Sequence, residues 1–264
     1  MSFDEYDLHT AAFDQPAPGH VGAPTNAYAL CFSPRCGSTL LAEALLFAGM
    51  GTPVEYLGID KAQGFMRRWG GASLDDYVTC LHRWRTTPNG VFGVKVHWEE
   101  LVQFRNWVVD PTTEADPGMT VERMLMDHLF PNLTYIRIDR RDVNRQAVSY
   151  WTGKATQEWV DLGDGARRPL PTYDFHGIEA CRRELLHEAA SWDHYFAANG
   201  IVPFDIAYEA FVLDYEAKVR DVVDFLGCDG SSVDVPAPRL RKQSGSHTDS
   251  YVARYLDERA ALVG

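Results

Sequence analysis

The chain has 264 residues, of which 45% are hydrophobic and 23% are charged, as in ordinary globular proteins with a substantial core. Its formal net charge of −12 argues against general nucleic-acid binding, which requires a basic surface. No apolar run reaches the length of about 18 residues that a membrane-spanning helix needs, so we expect no membrane span.

The chain begins with an acidic segment, residues 1–27, which contains Pro and Gly and lacks the basic and apolar regions of a secretory signal. We expect this segment to be an N-terminal extension. Residues 28–264 contain no internal repeat, no low-complexity tract and no evident linker. The sequence therefore predicts a single domain over residues 28–264.

Four short apolar-rich runs predict strands, and helical patterns separate them. The predicted strands are Tyr28–Phe32, Gly90–His97, Thr134–Asp139 and Val202–Tyr208. The predicted helices are Thr39–Ala48, Ser73–Arg85, Thr120–Phe130, Asp142–Trp159, Ile178–Asn199, Tyr215–Leu226 and Asp249–Ala261. Strands that alternate with helices are typical of βαβ units. We predict a P-loop-like α/β fold of three layers, in which helices flank a central parallel sheet.

A short polar loop, Ser33–Thr39, connects the first predicted strand to the first predicted helix. Such a loop directs backbone N–H groups and the positive end of a helix dipole at one point, which suits a phosphate. The loop is not a Walker A sequence, because it lacks G-x-x-x-x-G-K-[ST] and carries Arg35 instead of the lysine. A cation at a helix start opposes the dipole, so a bound anion explains Arg35 better than solvent exposure does. The hydroxyls of Ser38 and Thr39 can both cap the helix and contact phosphate.

Two arginines, Arg140 and Arg141, follow the third predicted strand, and Ser149 lies in the helix behind them. In a doubly wound sheet the carboxyl ends of the strands meet where ligands bind, so we expect these side chains to approach the first loop. An arginine and a serine at this spacing can hold one phosphate from two sides. The sequence leaves open which of the two arginines points inward. Arg137 alternates with isoleucines and is expected on the other face of its strand.

Several motifs together resemble one enzyme family. Ser33–Thr39 resembles the 5′-phosphosulfate loop of sulfotransferases that use 3′-phosphoadenosine-5′-phosphosulfate (PAPS), and Arg140 with Ser149 resembles their 3′-phosphate-binding pair. Further motifs, in chain order, resemble the bacterial trehalose 2-sulfotransferase-like family: Gly51–Tyr56, Asn89–Lys95, Gln146–Trp151, Leu240–Gln243 and Tyr251–Tyr255. The resemblance extends from about Tyr28 to Tyr255. Each motif is weak alone, whereas five in order are specific.

The resemblance implies transfer of a sulfuryl group from PAPS to a hydroxyl, with release of 3′,5′-ADP and without a metal ion. It implies a donor site formed by Ser33, Arg35, Cys36, Gly37, Ser38, Thr39, Arg140, Ser149, Arg241, Lys242 and Gln243. It also implies that Glu55 takes the proton from the acceptor hydroxyl. Arg35 would stabilise the charge that develops on the leaving group.

Lys95 is the third residue that we expect at the reacting centre. An unpaired lysine at the end of a buried strand would be costly, so Lys95 is expected to contact the donor sulfate or the acceptor. His97 lies two residues further along on the same face and could do likewise.

The five cysteines are odd in number and never spaced C-x-x-C, as expected for reduced thiols in the cytoplasm. Cys36 lies at a helix start, where its pKa should be lowered, but no histidine is paired with it in the sequence. We therefore expect Cys36 to line the donor loop and not to act as a nucleophile. The histidines and cysteines show no metal-ligand spacing, which predicts no metal site.

The region between Tyr56 and Pro88 is expected to form the acceptor pocket and part of a dimer contact. Its aromatic residues are expected to belong to the core: Phe65, Trp69, Tyr77 and Trp84. The acceptor itself stays open among trehalose, another sugar, a glycolipid and a small metabolite. Related enzymes imply a homodimer.

Two other functions stay open on the sequence. A nucleotide kinase of similar fold would need a P-loop lysine and a magnesium-binding acid, and the sequence shows neither. A non-catalytic nucleotide-binding protein would need no base, and Glu55 argues against it.

Overall fold

The computed structural model describes residues 22–159, 169–240 and 246–263. The elements in chain order are β1 (Asn26–Phe32), α1 (Ser38–Phe47), α2 (Ile59–Trp69), α3 (Leu74–Arg85), β2 (Val91–His97), α4 (Trp98–Val108), α5 (Val121–Leu129), β3 (Leu133–Asp139), α6 (Val143–Thr156), α7 (Phe175–Ala198), β4 (Phe204–Ala207), α8 (Tyr208–Leu213), α9 (Tyr215–Phe225), a 3₁₀ turn (Gly230–Ser232) and α10 (Ser246–Val263).

The four described strands form one parallel sheet in the order β2-β1-β3-β4. β1 lies in the middle, where Ala29 is opposite Val94 of β2 and Tyr135 of β3. Because all strands run in the same direction, the loop after β1 and the residues after β2 and β3 lie at one edge of the sheet. The predicted parallel α/β fold is confirmed.

Both faces of the sheet are buried, which explains why its strands are nearly continuous apolar runs. Ala27, Ala29 and Cys31 of β1 point into a core that includes residues of α2, α3, α4, α5 and α7. Tyr28, Leu30 and Phe32 alternate with them and point into a second core formed with α1, α8 and α9. The sheet is therefore the middle of three layers.

A third apolar cluster joins α6, α7 and α10 through residues such as Val148, Leu185 and Tyr255. It holds α6, the helix that carries Ser149, against the body of the protein. α7 has 24 residues. Neither α7 nor any other helix in the described ranges combines the length and apolarity needed to cross a membrane.

Three helices were not predicted from the sequence: α2, α4 and α8. Glycines flank and interrupt α2 at Gly58, Gly64 and Gly70, and such residues suggest turns when read locally. α4 follows β2 without a turn, and its first N–H groups are capped by Glu188 of α7, which accepts hydrogen bonds from Trp98 N at 2.7 Å and from Glu99 N at 3.1 Å. Such long-range capping cannot be predicted from local patterns.

The predicted bounds of two elements were too wide. The fourth strand covers only Phe204–Ala207, and Tyr208 begins a helix where a strand residue was expected. The helix predicted over Asp142–Trp159 ends at Thr156, because Gln157 adopts a left-handed conformation with φ of 58°. Both differences concern residues that lie close to the loop Ser33–Thr39, since Tyr208 lies against Gly37 and the carbonyl oxygen of Trp159 accepts from Arg35.

Candidate active site

The loop after β1 has the shape of an anion cradle. Arg35 and Gly37 both adopt left-handed conformations, with φ of 68° and 92°, and α1 begins at Ser38. The first turn of α1 contains no acidic residue and has no side-chain cap, whereas α2 and α3 start with Asp60 and a capping box at Ser73. The positive end of the α1 dipole is therefore not neutralised by its own helix, which favours an anion there.

Gln146 of α6 holds this loop in place. Its buried side-chain amide donates hydrogen bonds to Ser33 Oγ at 2.9 Å and to the carbonyl oxygen of Pro34 at 2.8 Å. Gln146 begins one of the motifs that resemble the sulfotransferase family, but no role could be predicted for it from the sequence. An amide in an ordinary helical pattern gives no local signal of such a contact.

Arg35 connects the loop to α6. Its Nε donates to Ser149 Oγ at 3.0 Å, and its Nη1 donates to the carbonyl oxygen of Trp159. Burial, with a further contribution from the neighbouring Arg140, lowers the pKa of Arg35 to about 10, so the guanidinium remains charged at neutral pH. The structure thus brings together two of the residues expected to hold the donor.

Arg140 lies beside Arg35, whereas Arg141 is exposed. Arg140 Nη1 donates to the carbonyl oxygen of Arg35 at 3.4 Å, and its guanidinium carbon lies 4.9 Å from the centre of the Tyr208 ring. Its Nε is buried without a hydrogen-bond partner among the described residues. Arg141 is exposed, and its backbone N–H donates to Glu209. The arginine that faces the loop is therefore Arg140.

The structure places Arg137 away from this loop, because its guanidinium pairs with Asp193 of α7 at 2.5 Å. This agrees with the prediction that Arg137 lies on the other face of β3.

Tyr208, which sequence reasoning did not single out, packs between Arg140 and the loop. A Cβ added to Gly37 would lie 2.4 Å from Cδ2 of Tyr208. The ring therefore requires glycine at position 37 in addition to the requirement set by its φ.

Gly37→Ala is expected to destabilise the protein by roughly 2–4 kcal/mol and to reduce binding of 3′,5′-ADP at least about tenfold, because both strain and a clash are introduced. Gly49→Ala is the matched control, since Gly49 also has positive φ (73°) but has nothing within 4 Å of its added Cβ. Urea unfolding and calorimetry check both variants. Equal losses of stability for the two would show that the contact with Tyr208 does not matter.

The backbone brings Glu55 opposite Lys95. Val54 forms an isolated parallel bridge with Val94, and the N–H of Lys95 donates to the carbonyl oxygen of Val54 at 2.9 Å. Tyr77 further fixes the segment by donating from its hydroxyl to the carbonyl oxygen of Tyr56 at 2.7 Å. Glu55 is thereby held at the edge of the sheet where the donor loop lies.

Lys95 touches both halves of the site. Its Nζ lies 3.0 Å from Glu55 Oε1 and donates to Thr39 Oγ1 at 3.2 Å, and it sits 4.7 Å from the centre of the Phe32 ring. Lys61, a residue that sequence reasoning missed, lies 2.6 Å from Glu55 Oε2. Glu55 therefore stands between two ammonium groups, and one of them reaches the first turn of α1.

Electrostatics keep Glu55 ionised. Burial alone would raise its pKa, but the charges of Lys95 and Lys61 and their hydrogen bonds outweigh burial and hold the pKa well below its ordinary range. His97, the N-cap residue of α4, packs its ring edge against Phe32 and lies 3.4 Å from Glu188 through Nδ1. Burial opposes the charged form of His97, yet Glu188 and the other carboxylates raise its pKa.

The prediction that the helix start would lower the pKa of Cys36 is wrong. The thiol is completely buried, and burial raises its pKa to about 11 despite nearby hydrogen bonds from Ser38 and the charge of Lys95. A thiol with this pKa is protonated at neutral pH and is a poor nucleophile.

The donor-site residues expected near the C-terminus cannot be placed, but the basic residue Arg239, just before them, can. Arg241, Lys242 and Gln243 lie outside the described residues. Arg239 pairs with the buried carboxylate of Glu43 in α1 and lies over the ring of Phe47, at 4.8 Å from its centre. Arg239 therefore anchors the chain just before residues 241–243.

The aromatic residues of the predicted acceptor region belong mainly to the core, as predicted. Phe65 and Tyr77 are buried, and Trp69 stacks on Phe65 with ring centres 4.5 Å apart. Arg85 lies over both Phe65 and Trp69, at 5.3 Å from each ring. Trp84 is half-buried, with Arg83 over its ring.

Comparisons with known proteins agree on one enzyme family. Residues 27–258 match the Stf0 sulphotransferase family. A trehalose 2-sulfotransferase from Mycobacterium tuberculosis (strain Erdman) is 29% identical over 260 residues, which cover 89% of this chain and 96% of that protein. A trehalose 2-sulfotransferase from Mycolicibacterium smegmatis is 27% identical over 257 residues, covering 87% and 94%.

Among solved structures, a sulfotransferase from Alicyclobacillus acidocaldarius aligns with a TM-score of 0.46 and 14% identity, over 92% of this chain and 96% of that one. The sulfotransferase domain of the Synechococcus PCC 7002 olefin synthase aligns with a TM-score of 0.37 and 14% identity, over 92% and 98%. These two likenesses are distant, whereas the family match covers most of the chain. The chain belongs to the Stf0 sulphotransferase family, whose members transfer sulfuryl groups.

Proposed function

We propose that this protein transfers a sulfuryl group from PAPS to a hydroxyl of a carbohydrate, glycolipid or small-metabolite acceptor and releases 3′,5′-ADP. The observation that carries the proposal is the pair Arg35 and Arg140 beside the uncapped start of α1, with Arg140 Nε buried and without a partner among the described residues. A buried guanidinium donor of this kind is well placed to bind an anion. One anion at the helix start and a second at Arg140 suit a nucleotide with phosphates on both sides of its ribose.

The residues present fit such a donor. Ser33–Thr39 would hold the 5′-phosphosulfate, and Arg140 with Ser149 would hold the 3′-phosphate; by resemblance, Arg241, Lys242 and Gln243 would close over it. PAPS supplies the sulfuryl group on a phosphate leaving group. Arg35 and the N–H groups at the start of α1 would stabilise the negative charge that grows on that leaving group.

On the acceptor side we propose Glu55 as the base. Its carboxylate is ionised, and it takes the hydroxyl proton while the hydroxyl oxygen bonds to sulfur and the bond between sulfur and the bridging oxygen breaks. Lys95 contacts both Glu55 and Thr39, so it is placed to hold the sulfuryl oxygens between donor and acceptor. Because Lys61 and Lys95 stabilise the ionised carboxylate, Glu55 binds a proton weakly as long as both ion pairs are in place.

The relatives support one class of acceptor. Both curated relatives are trehalose 2-sulfotransferases, which supports a carbohydrate hydroxyl as the first acceptor to test. We also propose a homodimer, by resemblance to related enzymes, and a cytoplasmic location, because the number and spacing of the cysteines favour reduced thiols.

An acceptor screen with ³⁵S-labelled PAPS tests the function. We expect label to move to at least one of trehalose, other sugars, glycolipids or hydroxylated metabolites, with 3′,5′-ADP as the second product. Transfer of the γ-phosphate of ATP in place of sulfate would indicate a kinase. Tight binding of 3′,5′-ADP without transfer to any acceptor would favour a non-catalytic nucleotide-binding protein.

A further inference from the structure

A second carboxylate lies buried beside Glu55 and has no role in the chemistry described so far. Glu100 is in the first turn of α4, three residues after His97 at the end of β2. The residue is 5% exposed, and its Oε2 has no hydrogen-bond partner among the described residues. A buried carboxylate oxygen without a partner is expensive, so its retention here requires an explanation.

The carboxyl group of Glu100 lies beside Gly58 and Lys61, close to the ion pair that Lys61 forms with Glu55. Its Oε1 lies 3.0 Å from the point where Gly58 would carry a Cβ, and Cδ of Lys61 lies 3.5 Å from the same point. The lack of a side chain at position 58 therefore leaves room for Glu100 beside the stem of Lys61. Lys61 in turn pairs with Glu55.

The groups that face Glu100 come from every element packed around it. They are Glu55 before α2, Lys61 of α2, Tyr77 of α3, and Lys95 and His97 of β2. Glu188 of α7 lies beyond His97 and is engaged by it and by the start of α4. Burial and the charge of Glu55 raise the pKa of Glu100 to about 7, although His97, Lys61 and Lys95 oppose the rise.

The protonation state of Glu100 changes how strongly the neighbouring charges stabilise ionised Glu55. When Glu100 is protonated, the two ammonium groups of Lys61 and Lys95 face only the carboxylate of Glu55, and they hold its proton affinity at its lowest. When Glu100 is ionised, its negative charge repels that of Glu55 and shares the attraction of the two lysines, so the ionised form of Glu55 is stabilised less. Glu55 then becomes a stronger base, because interacting sites shift each other's titration.

We propose that Glu100 is a positioning residue that acts through Lys61 and Lys95, so that ionisation of Glu100 raises the proton affinity of Glu55 and activates the acceptor half of the site. The inference rests on the proposed role of Glu55 as the base. Its sign is definite: activity rises with pH as Glu100 loses its proton and falls as it gains one.

The first test observes the carboxylates directly and needs neither donor nor acceptor. In protein labelled with ¹³C at the glutamate carboxyl, NMR should show one resonance that titrates near pH 7. This titration should disappear in Glu100→Gln, persist in the control Glu99→Gln, and move down by more than about one pH unit in Glu55→Gln, because the repelling charge is gone. Glu99 is an exposed neighbour in the same helical turn.

The second test is the pH profile of kcat/KM for sulfuryl transfer. The wild-type profile should have an acid limb near neutral pH, and Glu100→Gln should remove that limb and lower kcat/KM about three- to tenfold at pH 8.5, where wild-type Glu100 is ionised. Rescue of the limb by Glu100→Asp would support a role for the charge itself.

Any of three NMR results would overturn the inference: no near-neutral carboxyl titration, a titration that survives Glu100→Gln, or one that Glu55→Gln does not move. An unchanged acid limb in Glu100→Gln would do the same. If Glu100→Gln does not fold, the inference is tested by the Glu55→Gln variant alone, through the shift of the near-neutral carboxyl titration. A protein that shows the expected NMR titrations but never uses PAPS would contradict the proposed function and leave the coupling between the carboxylates intact.

Discussion

Glu55→Gln is expected to lower kcat for sulfuryl transfer by about 10²- to 10⁴-fold, the usual contribution of a positioned general base. The amide keeps the shape of the carboxylate but cannot take the acceptor proton. Lys95 loses an ion pair at 3.0 Å and keeps its contact with Thr39, so binding of 3′,5′-ADP should be unchanged or tighter. Steady-state kinetics and calorimetry measure the two effects separately.

Lys61→Met distinguishes loss of the base from loss of its ion pairs. This change removes the shorter pair of Glu55, at 2.6 Å, and leaves the carboxylate next to Lys95. Because one positive neighbour is gone, the pKa of Glu55 should rise, and kcat should change less than about tenfold. If Glu55→Gln retained kcat within about threefold, Glu55 would not be the base.

Arg140→Ala is expected to weaken 3′,5′-ADP by about ten- to a hundredfold while changing 5′-AMP only slightly, because charge-assisted hydrogen bonds contribute roughly 1.5–3 kcal/mol. The two nucleotides differ only in the 3′-phosphate, so their comparison isolates the contact that Arg140 is proposed to make. Isothermal calorimetry with each nucleotide measures it.

Arg141→Ala is the control, because Arg141 is the exposed neighbour of Arg140 in the chain. We expect the Arg141→Ala variant to bind 3′,5′-ADP and 5′-AMP with the affinities of the wild type. Equal losses for 3′,5′-ADP and 5′-AMP in Arg140→Ala would place the 3′-phosphate elsewhere.

The donor loop could be predicted because its signals are local. An apolar strand, a loop with Gly37 and a helix without acidic residues in its first turn follow one another within residues 26–47. The approach of Arg140 and Ser149 to this loop could be predicted because the carboxyl ends of parallel strands meet at one edge of the sheet, although in the structure Ser149 accepts a hydrogen bond from Arg35. The sequence could not choose between Arg140 and Arg141, since the choice depends on long-range contacts of Arg140 with Tyr208 and with the carbonyl oxygen of Arg35.

The acceptor side could be predicted only in part, because its contacts are long-range. Glu55 meets Lys95 through the bridge of Val54 to Val94, which no local pattern encodes. Lys61 was missed because its helix is interrupted by glycine, and the buried site of Glu100 depends on a helix that Glu188 caps from α7. The pKa of Cys36 was predicted in the wrong direction because complete burial outweighs the helix dipole there.

Binding of 3′,5′-ADP compared with 5′-ADP to the wild-type protein, by calorimetry with and without Mg²⁺, tests the two-phosphate donor site most directly. The site predicts that 3′,5′-ADP binds at least about tenfold more tightly and that Mg²⁺ does not change the order, because one charged contact is lost when the 3′-phosphate is absent. Equal affinity for the two nucleotides, or a preference for 5′-ADP in the presence of Mg²⁺, would contradict PAPS as the donor.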